Sequence, residues 1–288
     1  MYSHFDFNEW VTPFGLIFLL AIAVSWCLAR RNAGLLNIDG SHIDLLLPIT
    51  IIVGVVGGAL LSLLMPMDAM IAGDKMQTGV RIRLFGFLGT GAIAMFAYSR
   101  AAKLPFRRLL DVFALPTIAG LMIHRAGCFL AGCCWGDVVS EHQASSFAPQ
   151  VQTLSFLNGL SKGVQYPPGS LPYEQHLAMD LIEPGALASL PVYPVQLYEA
   201  ALLLLVLLVL WRISWRRLPR GVLALLTVCS YALIRFFIEF LRADGHIVIA
   251  NLTVTQLQCL FLLLSVVLLP DAIRNRHTGT HQDLRRRL

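Results

Sequence analysis

Seven apolar runs, separated by polar or basic segments, constrain this 288-residue chain more than any other feature. Most runs are long enough for a helix to cross a hydrocarbon core of about 30 Å at about 1.5 Å per residue. Hydrophobic residues make up 57% of the chain and charged residues only 14%, which is too apolar for a soluble domain. We therefore predict an all-α, polytopic membrane helix bundle, with transmembrane helices near 13–29, 45–65, 84–98, 109–131, 193–211, 221–241 and 247–269.

The distribution of basic residues predicts the orientation of these helices. Basic residues concentrate in alternate connections and in the C-terminal tail: Arg30, Arg31, Arg100, Lys103, Arg107, Arg108, Arg212, Arg216, Arg217, Arg220, Arg285, Arg286 and Arg287. Because positively charged loops remain on the cytoplasmic side, we expect the N-terminus outside and the C-terminus in the cytoplasm. The net charge of +5 then reflects membrane topology, and it does not favour a nucleic-acid partner.

The segment 137–192 is the one sizeable stretch outside the predicted spans. It carries acidic residues and turn signals such as Asn158-Gly159 and Pro167-Pro168-Gly169. We expect residues 1–288 to form a single integral membrane domain, with 137–192 as a small irregular cap on the outer face.

Ionisable residues within the apolar runs are costly in a membrane and therefore indicate a functional site. Counting along the helices places Arg125 about 24 Å and Arg235 about 21 Å from the cytoplasmic side. Glu199 then lies about 9 Å below the outer edge, at the same level as the two arginines. The i, i+4, i+7 spacing of Arg235, Glu239 and Arg242 predicts that they share one helix face.

These charges have two interpretations. They can be ion pairs that hold the bundle together, and Arg242 at a span end can reach the interface by snorkelling. Alternatively, three arginines against two glutamates leave an excess positive charge that would bind an anion. Asp244 at the rim would offset part of this positive charge. Since the planar guanidinium suits phosphate, the phosphate of an anionic phospholipid is the expected ligand.

Three stretches resemble the signatures of the prolipoprotein diacylglyceryl transferase family: HRAGCFLAGCCWG at 124–136, YPVQLYEA at 193–200 and LIRFFIEFLRADG at 233–245. Asp111 and Gln256 also fit the family pattern. The resemblance implies a seven-span enzyme of the bacterial inner membrane. Such an enzyme moves the diacylglyceryl group of phosphatidylglycerol onto the lipobox cysteine of a prolipoprotein and releases glycerol phosphate on the outer side.

The resemblance also implies the site residues. The expected catalytic residues are Arg125, Arg235 and Glu239. Residues expected to bind substrate are Gln196, Tyr198, Glu199, Arg242, Gly127 and Gly136. In this interpretation the arginines bind the phosphate and stabilise charge on the leaving group, while Glu199 and Glu239 orient them.

Several positions depart from the family pattern. Phe85 stands where the best-known members have a histidine, Phe14 replaces a tyrosine, Ala59 an arginine, and Cys128 and Cys133 an asparagine and a glutamate. These losses leave open which group activates the acceptor thiol.

His124 is a further candidate base, although it lies about 100° around the helix from Arg125, which favours a polar niche instead. Cys128 and Cys133 are candidate functional thiols, with helix packing as the alternative. Cys128, Cys133 and Cys134 could suggest a metal site, but the sequence offers no second ligand pair such as C-x-x-C, so we expect no metal. We also expect no cofactor.

The sequence therefore predicts a transferase with phosphatidylglycerol, prolipoproteins and the lipid bilayer as partners, and no nucleic acid. One alternative is a paralogue that uses an anionic phospholipid with a different acceptor. Another is a small membrane transporter or lipid-binding scaffold, although the internal repeats typical of transporters are not evident.

Overall fold

A computed structural model describes residues 13–64, 84–139, 163–215, 218–242, 247–249 and 252–268. Most of them are helical, and five of the helices are long and apolar enough to cross a membrane. The predicted helical membrane bundle is confirmed at this level. The helices are α1 Pro13–Leu35, α2 Gly40–Leu64, α3 Leu84–Ala101, α4 Phe106–Ala131, α5 Leu171–Ala178, α6 Val195–Ser214, α7 Val222–Ile238 and α8 Val254–Leu268.

Helix α4 is the central element of the described bundle. Inside the apolar window of α4, 56% of the residues are buried, against 11% for α1 and 17% for α6. It packs against α1, α6 and α7, while α2 packs on α3 and α8 on α7. The outward face of α6 exposes large apolar side chains, as expected for lipid contact: Leu204, Leu205, Leu208 and Val209.

A proline explains part of the contact between α1 and α4. Pro116 has no N–H, so the carbonyl oxygen of Val112 lacks its helical hydrogen-bond donor. Asn32 of α1 supplies a replacement, donating from Nδ2 to that oxygen at 3.1 Å. Ser25 donates to the carbonyl oxygen of Pro116 at 3.0 Å. Asn32 thus satisfies a backbone carbonyl that an apolar environment would leave unpaired, and Ser25 adds a second hydrogen bond between the two helices.

Asp111 joins α4 to the start of α7. Its carboxylate accepts hydrogen bonds from the backbone N–H groups of Gly221 at 2.6 Å and Ala224 at 3.0 Å. These N–H groups have no partner within the helix, and a negative charge there also complements the helix dipole. Asp111 therefore fixes where α7 begins, and with it the height of Arg235 along the helix.

Two sequence expectations are wrong in detail. The last apolar run does not begin as a helix at 247, because β1 (Ile247–Ile249) and β2 (Leu252–Thr253) pair there as an antiparallel ribbon before α8. The described part of 137–192 is not wholly irregular, since it contains α5 and short bridges of Val192 with Val138 and Val164.

Candidate active site

Arg125 and Glu199 form a buried ion pair between α4 and α6. Arg125 Nε lies 2.9 Å from Glu199 Oε1, and the two side chains are 8% and 1% exposed. Arg125 comes from the C-terminal part of α4 and Glu199 from the second turn of α6. Two residues that the sequence placed at the same level are therefore in contact.

Glu239 is the centre of a second ionic cluster, at the C-terminal end of α7. Its Oε2 atom lies 2.7 Å from Arg235 Nη2 and 3.9 Å from Arg242 Nε. The hydroxyl of Thr253 donates to its other carboxylate oxygen, Oε1, at 3.0 Å. Glu239 is 3% exposed, so deleting its cationic partners would leave a poorly solvated carboxylate, a change that strongly destabilises folded proteins.

Arg242 is not on the same helix as Arg235, contrary to the prediction from the i, i+7 spacing. Helix α7 ends at Ile238, residues Glu239–Leu241 form a 3-10 turn, and Arg242 is extended with φ −91° and ψ 138°. Arg242 is also only 6% exposed, so it is not a snorkelling side chain. Asp244, the predicted partial counterion, lies outside the described residues.

Among the described ion pairs of the two clusters, cationic side chains outnumber anionic ones. Three guanidinium groups of Arg125, Arg235 and Arg242 face two carboxylates, and each of these five residues is at most 8% exposed. Arg235 Nη1 is buried and has no hydrogen-bond partner among the described residues. Because an unsatisfied buried donor is costly, this N–H group is suited to contact a substrate oxygen.

Gln196, in the first turn of α6, connects the site to the segment after α4. Its Nε2 donates to the carbonyl oxygen of Cys133 at 2.7 Å and to the hydroxyl of Tyr166 at 3.4 Å. Burial raises the pKa of Tyr166, so its hydroxyl remains protonated at neutral pH. Tyr198 is half-buried and packs with Tyr193 and neighbouring apolar residues. Gln196 thus has a positioning contact, and substrate contact by Gln196 and Tyr198 stays a prediction.

Gly136 and Gly127 allow close approaches between parts of the protein. A Cβ atom on Gly136 would lie 2.6 Å from the carbonyl oxygen of Tyr193 and 2.7 Å from that of Leu241. A Cβ atom on Gly127 would lie 3.1 Å from Ile17 in α1. Both glycines therefore have packing roles, and their predicted part in substrate binding remains untested.

His124 and three thiols occupy the end of α4. His124 Nε2 lies 3.5 Å from Cys128 Sγ, and the imidazole packs edge-on against the rings of Phe14 and Phe18 in α1. Its Nδ1 has no hydrogen-bond partner among the described residues. The environment of His124 is thus the protein-lined niche that the sequence favoured. Whether it acts as a base stays a prediction.

Sequence reasoning missed Tyr231, Thr253 and Tyr166. Tyr231 is 5% exposed, and its buried hydroxyl has no hydrogen-bond partner among the described residues. It is four residues before Arg235, so helical spacing could have identified it. Thr253 forms a capping box with Gln256, for which the T-x-x-Q pattern was the available signal. No local signal connects Tyr166 to Gln196.

Two of the positions that depart from the family pattern lie in the first two helices. Phe14 and the half-buried Ala59 lie in α1 and α2. The side chain of Phe85 lies outside the described residues, although the backbone of α3 includes it.

Comparison with known proteins agrees with the three signature stretches. The sequence model of the prolipoprotein diacylglyceryl transferase family matches residues 5–270. A phosphatidylglycerol–prolipoprotein diacylglyceryl transferase of Methylococcus capsulatus is 30% identical over 281 residues, covering 91% of each chain. A protein of the same name from Allorhizobium ampelinum is 27% identical over 271 residues, covering 87% of this chain and 81% of its own. All of the arginines of the two ionic clusters fall within the residues that the family model matches.

Proposed function

Because this chain belongs to the prolipoprotein diacylglyceryl transferase family, we propose that it transfers the diacylglyceryl group of phosphatidylglycerol to the lipobox cysteine of prolipoproteins. The observation that carries the proposal is the excess positive charge of Arg125, Arg235 and Arg242 in a buried position. Such a charge favours an anionic ligand, and the phosphodiester of phosphatidylglycerol supplies one at membrane depth.

Arg125 and Arg235 bind the phosphate in this mechanism. The C–O bond between the diacylglyceryl carbon and the phosphate oxygen breaks, so negative charge develops on the departing glycerol phosphate. Guanidinium groups held in place by Glu199 and Glu239 stabilise that charge without having to reorganise. The carboxylates are therefore positioning residues, and the arginines contact the reacting group.

The acceptor thiol supplies the nucleophile. Its sulfur forms the new S–C bond after losing its proton, and glycerol phosphate leaves with the electron pair of the broken C–O bond. A free thiol with a pKa of about 8.5 is already a few per cent thiolate at neutral pH. A cationic site increases that fraction, so only modest activation is needed.

The proposal places the enzyme in a bacterial inner membrane as a multi-pass protein. The five long apolar helices, the 18-residue α3, the shorter apolar α8 and the basic connections support about seven spans with the N-terminus outside. Residues 1–288 then form one integral membrane domain, with 137–192 on the outer face. This orientation gives the ionic clusters access to secreted prolipoproteins.

A transfer assay tests the proposed activity. Purified full-length protein is incubated with phosphatidylglycerol micelles and a lipobox peptide, and mass spectrometry detects the diacylglyceryl adduct. We expect an adduct with phosphatidylglycerol and none with a peptide whose cysteine is serine. An Arg125→Lys variant, which keeps a cation beside Glu199, should form the adduct much more slowly. Absence of adduct at every pH, with the wild-type protein correctly folded, would contradict the proposal.

The departures at Cys128 and Cys133 favour one alternative, a paralogue that binds the same phospholipid but uses another acceptor. In the same assay this paralogue would bind phosphatidylglycerol in an arginine-dependent manner and would leave the lipobox peptide unmodified. If the protein binds the lipid but does not cleave it with any thiol acceptor tested, it would instead be a lipid-binding scaffold.

A further inference from the structure

Three cysteine thiols converge beside the arginine cluster. The Sγ atoms of Cys128, Cys133 and Cys134 all lie within 4.8 Å of one another. Cys128 is buried, while Cys133 and Cys134 are half-buried. Cys128 lies three residues after Arg125 on α4, and Gly136, two residues after Cys134, is paired with Arg242. The thiols therefore adjoin the place where the phosphate and the acceptor are proposed to meet.

The backbone builds this cluster through a tight reversal after α4. Gly132 adopts the left-handed conformation with φ 67°, and Cys134 does so as well with φ 60°. The N–H of Cys133 donates to the carbonyl oxygen of Cys128 at 3.1 Å, and Gln196 holds the carbonyl of Cys133 from α6. A left-handed conformation is unfavourable for a residue with a side chain, yet here it turns the third thiol towards the first two.

The spacing of the thiols fits a metal ion with little rearrangement. Zinc–sulfur bonds of about 2.3 Å at tetrahedral angles place neighbouring sulfurs about 3.8 Å apart. The observed limit of 4.8 Å requires each pair to close by no more than about 1 Å. The sequence expectation of no metal depended on the lack of a second ligand pair such as C-x-x-C, whereas the turn at Gly132 and Cys134 brings three ligands together from one segment.

The local charge also suits a thiolate site. Three thiolates and one divalent zinc ion have a net charge of −1, and the adjoining ionic clusters have an excess of positive charge. His124 Nε2 lies 3.5 Å from Cys128 Sγ, and the group of ligand atoms that converge here consists of the three sulfurs. Three protein ligands leave a fourth tetrahedral position open, which is the arrangement of catalytic zinc sites.

We propose that Cys128, Cys133 and Cys134 bind a zinc ion whose open position takes the thiol of the acceptor peptide. This inference rests on the proposed transferase function and identifies how the acceptor is bound and activated. A thiol that coordinates zinc is deprotonated, and its proton is released to solvent. The zinc-bound sulfur then forms the S–C bond while glycerol phosphate departs with the electron pair of the C–O bond. The thioether product is a neutral and weaker ligand, so it can leave.

Metal analysis of the purified full-length protein tests the zinc site without reference to activity. The protein is reduced, incubated with zinc and freed of excess metal. Its zinc content per chain is then measured by elemental mass spectrometry. We expect about one zinc ion per chain in the wild type. Cys128→Ser, Cys133→Ser and Cys134→Ser should each lose most of it, whereas the control variants Cys27→Ser and Cys229→Ser should retain it.

Cobalt(II) substitution tests the open coordination position. Cobalt bound by thiolates gives ligand-to-metal charge-transfer and visible absorption bands that depend on coordination. We expect these bands to change when a lipobox peptide is added, and to stay unchanged with the same peptide carrying serine in place of cysteine. Unchanged bands with the cysteine peptide would overturn acceptor binding at the metal.

The transfer assay separates failure of the zinc site from failure of the proposed function. Zinc that binds with no adduct formed would support the site and contradict the transferase. Adduct formation at the same rate after chelation, and in all three serine variants, would support the transferase and overturn the zinc site. A reduced wild-type protein that binds no zinc, or that holds two of the three cysteines as a disulfide that resists reduction, would also overturn it.

Discussion

Gly136 and Arg242 are paired residues of two antiparallel backbone segments, which joins the first signature stretch directly to the third. The N–H of Gly136 donates to the carbonyl oxygen of Tyr193 at 2.9 Å, and the N–H of Asp137 to that of Leu241 at 2.9 Å. All three signature stretches thus meet through their main chains. The position of Arg242 relative to Arg125 therefore depends on a backbone frame as well as on side chains.

Gly136→Ala tests this frame. The added Cβ would lie 2.6 Å and 2.7 Å from two carbonyl oxygens, so the backbone segments must separate. We expect a clear drop in melting temperature and loss of most transferase activity. Gly89→Ala is the matched control, because its Cβ meets nothing within 4 Å in a helix, where alanine is favoured by about 0.5–1 kcal/mol. Equal melting temperatures for the two variants would contradict the frame.

Arg125→Lys and Arg235→Lys test bidentate binding of phosphate. Each keeps the positive charge but replaces the planar fork, so we expect the transfer rate to fall by about 100-fold or more. Arg212→Lys, an exposed position at the far end of α6, should be unaffected. The measurement is the adduct rate per folded protein. Near wild-type rates for both inner variants would rule out the bidentate interaction.

Thr253→Val tests the hydrogen bond to Glu239. Valine has a similar shape but cannot donate to Glu239 Oε1 or accept from the N–H of Gln256. We expect a loss of about 1 kcal/mol in stability and about tenfold in rate. Thr253→Ser keeps the hydroxyl and should restore both quantities. If the Thr253→Ser and Thr253→Val variants have the same melting temperature and the same transfer rate, the hydroxyl contributes to neither stability nor activity.

Cysteine labelling tests the orientation in the membrane. Leu187 is 93% exposed within the predicted outer segment, and Trp215 is 67% exposed at the end of α6. In a background without other cysteines, we expect a membrane-impermeant thiol reagent applied outside to label Leu187→Cys in intact cells. Trp215→Cys should react only after the membrane is permeabilised. The reverse pattern would invert the topology and move the site to the cytoplasmic side.

His176 predicts a pH dependence of the outer segment. Its Nδ1 accepts a hydrogen bond from the N–H of Leu190 at 3.2 Å, and burial lowers its pKa from about 6.5, partly opposed by Asp137. Between the lowered pKa of the folded state and pH 6.5, the unfolded chain therefore binds more protons at this site than the folded chain does, so stability falls as pH falls through this interval. His176→Asn keeps an acceptor without titrating. We expect this variant to flatten the melting temperature between about pH 5 and 7.

The sequence by itself determined the class of the protein and most residues of the candidate site. Long apolar runs must be helices in a membrane because lipid offers no hydrogen bonds to the backbone. Ionisable residues in those runs are costly, so Arg125, Glu199, Arg235 and Glu239 were identifiable without coordinates. Helical spacing also predicted the contact of Arg235 with Glu239, since both lie within one short stretch of chain.

Only the tertiary structure decided which residues from different helices meet. The contact of Arg125 with Glu199 and the hydrogen bond of Thr253 to Glu239 join residues distant in sequence, and their geometry follows from how the helices pack. The end of α7 before Arg242 could not be predicted from periodicity, because the backbone pairing with Gly136 replaces the helical hydrogen bonds there. The convergence of Cys128, Cys133 and Cys134 likewise depends on two left-handed backbone conformations, which are stabilised by contacts outside that segment.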